Sequence, residues 1–130
     1  MGCELTCVDY HESSLERLKE SVQALAADAD VQLSIYPEFM CRVDELALDF
    51  DHWFEVGRQF LTPDQISVLE PILAQLGEMS GPEGPWAEED LATDPRWEDI
   101  RAKAAHALDI LGWPHDPPPP SSDVVVPFPR

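Results

Sequence analysis

Basic residues are scarce in this 130-residue sequence. Eight Lys and Arg face twenty-six Asp and Glu, leaving a formal net charge of −18. A field so one-sided repels DNA, RNA and anionic membranes, so direct nucleic-acid and membrane binding are not expected; it draws in cationic partners. Half of the acidic and half of the basic residues fall before residue 62, so no detachable acidic tail carries the charge. Solubility, or a high-salt environment, would explain the acidity without any partner.

Other absences narrow the field further. Cys3, Cys7 and Cys41 are odd in number and show no CxxC spacing, which argues against a closed disulfide framework and a zinc site. Reduced thiols in a cytoplasmic protein are the simplest account. No apolar run reaches bilayer length, and no charged-then-apolar signal peptide opens the chain. The start, Met-Gly-Cys-Glu-Leu-Thr, matches a myristoylation pattern, but a lipid there would press an acidic body against an acidic leaflet. Nucleophile elbow, P-loop, dinucleotide fingerprint and zinc-protease motif are all missing. No catalytic residue and no cofactor are expected.

What is present reads as helix. Residues 3–10 alternate loosely and suit a short strand, but Ser13 with Glu16 forms a capping-box pattern ahead of Leu15, Leu18, Val22 and Leu25. That spacing predicts a helix over 14–28. Residues 29–36 fit either a strand or a helix extension, ended at Tyr36-Pro37. A second helix is predicted over 43–60. A third spans 63–77 behind a Thr62–Gln65 capping box, with Ile66, Leu69, Leu73 and Leu76 as its stripe and a kink or break at Pro71. "AEEDLA" suits one helical turn, and Asp94-Pro95 opens a last helix to residue 111. Trp53 and Trp97 fall on core stripes, while Trp86 and Trp113 border proline-containing loops. The expected fold is mainly α: a small helical bundle of four main helices in residues 1–114, with a proline-rich extended tail over 115–130. Val124–Val126 is read as either an edge strand or a mobile run. The four consecutive prolines favour polyproline II, as a spacer or as a ligand for an aromatic groove.

The helix over 43–60 carries the functional question. Its apolar arc runs through Val43, Leu46, Ala47, Phe50, Trp53, Phe54 and Phe60; Asp44, Glu45, Asp49, Asp51, His52 and Glu55 lie opposite, with Leu48 among them. Asp49 and His52 have the carboxylate-x-x-His spacing of di-iron bundles. The second half of such a site is missing, because Lys103 precedes His106 and His11 precedes its own helix. The strip also turns away from the aromatic arc, so no metal site is expected. Carboxylates ringing an exposed leucine suit a cationic cleft: charge steers the encounter and the leucine supplies dry contact.

The expected function is therefore non-enzymatic. It is that of a small acidic inhibitor, resembling bacterial immunity proteins or antitoxins in general character while matching no family motif. Its partner would be a basic protein, either a toxin or a nucleic-acid-processing protein. Asp44, Glu45, Leu48, Asp49, Asp51, His52 and Glu55 form the expected contact face. A nucleic-acid mimic is a variant of the same physics. A metal-dependent helical enzyme and an adaptor working through its proline tail are the alternatives from other classes.

Overall fold

The computed structural model describes residues 2–37 and 41–116, with side chains from residue 13 onward in those spans. It is mainly helical: α1 (Gly2–Ala26), α2 (Ala29–Ile35), α3 (Arg42–Gly57), a 3-10 turn (Arg58–Phe60), α4 (Pro63–Met79), α5 (Glu88–Thr93) and α6 (Pro95–Leu111). Among the described residues there is no strand. Each of the four long helices overlaps a range predicted from periodicity, though α1 begins well before residue 14 and α3 gives way to a 3-10 turn at Arg58, and α2 and α5 are short additional helices. The expected tail falls largely on residues 117–130, outside the described residues.

Three local expectations are corrected. The strand over 3–10 is helix, because once α1 is nucleated by its leucine stripe, adding residues at its N-terminal end is cheap. The Ser13–Glu16 capping box therefore does not exist, since Ser13 lies inside α1 where the backbone amides already have helical partners. Nor does Pro71 break α4. Ser67, whose carbonyl loses its partner to the proline, is exposed, as is Pro71.

One buried apolar cluster joins the long helices. α1 supplies Leu18, Val22 and Leu25; α3 supplies Val43, Leu46, Phe50 and Phe54; α6 supplies Trp97, Ile100, Ala104 and Leu108. α1 packs chiefly on α3 and α6, and α4 packs on α6. The buried side of α4 is Leu69, Ile72, Leu76 and Met79, with Leu73 only partly covered. Trp53 and Leu111, both on expected core stripes, are likewise partly buried.

Polar side chains tie the short helices in. Gln32, 1% exposed, donates to the Ala24 and Leu25 carbonyls at the end of α1. Arg101 of α6 donates to the Gln32 side-chain oxygen and to the Leu91 carbonyl of α5. Arg42 donates to both carboxylate oxygens of Glu88, at 2.8 and 2.9 Å, and to the Leu33 carbonyl, so the starts of α3 and α5 and the end of α2 meet at one guanidinium. Those bonds hold the Glu88 carboxyl below the usual range.

Candidate functional site

The seven residues of the expected contact face lie along two neighbouring strips of α3. Asp44, Leu48, Asp51 and Glu55 follow one another at helical spacings of four, three and four. Glu45, Asp49 and His52 form a second strip about 100° around the helix. The structure gives the two strips different surroundings.

The second strip is partly engaged with the fold. Glu45 and Asp49 are half-buried, and the Tyr36 hydroxyl donates to Asp49 Oδ2 at 2.5 Å. Burial, then the Asp49 charge and hydrogen bond, then the Glu45 charge push the Tyr36 phenol well above its ordinary ionisation range. His52 is exposed and meets the edge of the Trp53 ring at 4.5 Å between centroids. Among the described residues no group of three or more His, Cys, Asp or Glu side chains is placed to hold a metal ion.

The first strip is open. Asp44, Asp51 and Glu55 are exposed, and Leu48 is 55% exposed, one of two large apolar side chains among the described residues left this far in solvent. The other is Ile110 on α6, at 54%. Beside the strip lie two adjoining hollows of about 650 and 360 Å³, which share Ala47, Leu48, Ser80 and Trp86. The larger is bordered by Asp44 and Asp90, the smaller by Asp51. Among the described residues no basic side chain lines either one.

The far wall of these hollows is the loop from Ser80 to Ala87, and sequence reasoning missed it. The loop is densely bonded. Trp86 Nε1 donates to the Met79 carbonyl at 2.9 Å, and Trp97 Nε1 donates to the Pro85 carbonyl at 2.7 Å. The Gly84 amide donates to Gly81 and the Trp86 amide to Gly84. The Trp86 and Trp97 rings meet edge to face with centroids 5.6 Å apart. Gly81 has φ +117°, a conformation that favours glycine. The "GEMSGPEGPW" stretch reads as a loop, but its first three residues close α4 and the loop proper begins at Ser80; that it returns to face Leu48 depends on tertiary packing.

The basic residues do not neutralise this face. Arg17, Lys19, Arg58 and Arg96 pair with Glu20, Glu16, Glu70 and Asp94, and Lys103 bonds Gln75. Arg42 and Arg101 hold the internal ties described above. Among the described residues no cation reaches Asp44, Asp51 or Glu55. No helix among the described residues is long and apolar enough to cross a membrane. No family model, no curated protein and no solved structure matches the chain.

Proposed function

We propose that this protein is a non-enzymatic acidic inhibitor that binds a basic macromolecule through the Asp44–Leu48–Asp51–Glu55 strip of α3. In this reading its four long helices act as a bundle scaffold in the cytoplasm. The partner is a protein with a cationic cleft, such as a nuclease toxin, and the relationship is that of an immunity protein or antitoxin to its target. The carrying observation is Leu48: a half-exposed leucine, flanked by unpaired carboxylates, beside a hollow with no basic lining. Desolvating such a leucine contributes affinity, while the carboxylates around it accelerate encounter and reject anionic partners. Glu45, Asp49 and His52 contribute charge from the side of this contact.

The test is capture from the native host at low and moderate salt, with wild type and a triple variant carrying Lys at 44, 51 and 55. The reading expects a basic protein retained by wild type and lost by the variant, with association slowed as salt rises. Equal capture by both forms would show that this strip is a solvated surface and nothing more.

A further inference from the structure

The hollow beside Leu48 has features that a charged strip alone does not require. Its walls are largely apolar, with Ala47 and Leu48 on α3 and Pro82 and Trp86 on the loop. The charged groups at its margin, Asp44 and Asp90, are acidic, as is Asp51 at the margin of the adjoining smaller hollow. Arg42, which opens α3 close by, bonds Glu88 and the Leu33 carbonyl and does not line the hollow. Resting on the reading above, we infer that this hollow seats one large apolar side chain of a basic protein segment, whose flanking Lys or Arg residues meet Asp44 and Asp51.

Charge complementarity selects this occupant. An anionic segment would bring its charges against three carboxylates, and a purely apolar one would leave them desolvated without partners. The spacing is also specific. At 1.5 Å per residue, Asp44 lies about 6 Å to one side of Leu48 along the helix and Asp51 about 4.5 Å to the other. Cations about 10 Å apart on one face straddle that distance, as residues seven apart on a helix do. The apolar anchor then falls between them. Because the loop is held by its own hydrogen bonds and by the Trp97 indole, little ordering is needed on binding.

Two lysine-rich helical peptides of equal charge test the inference. One carries leucine between lysines seven residues apart; the other carries serine there. Calorimetry at low salt compares wild type, Leu48→Ser and the triple lysine variant at 44, 51 and 55. Wild type is expected to bind the leucine peptide about tenfold more tightly than the serine peptide, as one well-buried apolar side chain implies. In Leu48→Ser the preference should largely vanish, and the triple variant should lose both peptides. Equal binding of the two peptides by wild type overturns the inference, as does a preference that survives Leu48→Ser; the acidic-strip reading stands in both cases if the triple variant binds neither peptide. A triple variant that binds both peptides like wild type overturns the acidic-strip reading itself.

Discussion

Gln32 places its amide on two carbonyls at the end of α1 while its side-chain oxygen accepts from Arg101. A helix end leaves carbonyls without intrahelical partners, and burying them unpaired costs more than a hydrogen bond returns. Gln32→Leu keeps the volume but removes every one of these bonds. It should lower stability by about 1–3 kcal/mol in urea unfolding, and an unchanged midpoint would show that water satisfies the same groups. In the sequence this glutamine looks like a surface residue on a segment that fitted strand and helix equally. Its role depends on α1, α2 and α6 meeting, and no local pattern records that. Leu48 is the opposite case. Its exposure follows from α3 alone, since the 3.6-residue period puts it across from Phe50 and Phe54.

At the scale of elements, α3 was readable because its faces are so unequal, and the spacing of its polar residues already divides that side into two strips. Residues adjacent in sequence sit 100° apart on a helix, so Asp44 and Glu45 look toward different neighbours. One strip looks toward Tyr36 and the other toward the 80–87 loop. In α4 the spacing predicts a stripe through Ile66, Leu69, Leu73 and Leu76; the structure buries Ile72 and Met79 with Leu69 and Leu76 and leaves Ile66 and Leu73 partly covered. The loop itself carries a prediction. A Cβ at Gly84 would overlap the Met79 carbonyl and the Trp86 indole nitrogen, so Gly84→Ala must displace Trp86. It should destabilise the protein by about 1–3 kcal/mol and weaken the leucine-peptide preference together. Gly77→Ala meets open space inside a helix and should stabilise by about 0.5–1 kcal/mol. Unfolding midpoints of the same sign for the two variants would contradict this account of the loop.

For the whole molecule, the charge imbalance was plain in the composition, but its placement was not. Intramolecular pairing draws the basic side chains of the described residues to other parts of the surface and leaves the α3 strip uncompensated. Net charge alone attracts any cation to any side of the protein. We propose instead that binding is localised where uncompensated acid meets exposed apolar surface. Ile110 provides the internal comparison, being equally exposed on a different helix. The most direct measurement is a two-dimensional amide NMR titration of the protein with the leucine-bearing lysine peptide. The account predicts saturable shifts concentrated at 44, 48, 51, 55 and 80–86, persisting at about 0.15 M salt, where exposed charges are screened beyond about 8 Å. Shifts spread evenly over the acidic surface, or centred on Ile110 and the end of α6, would contradict it.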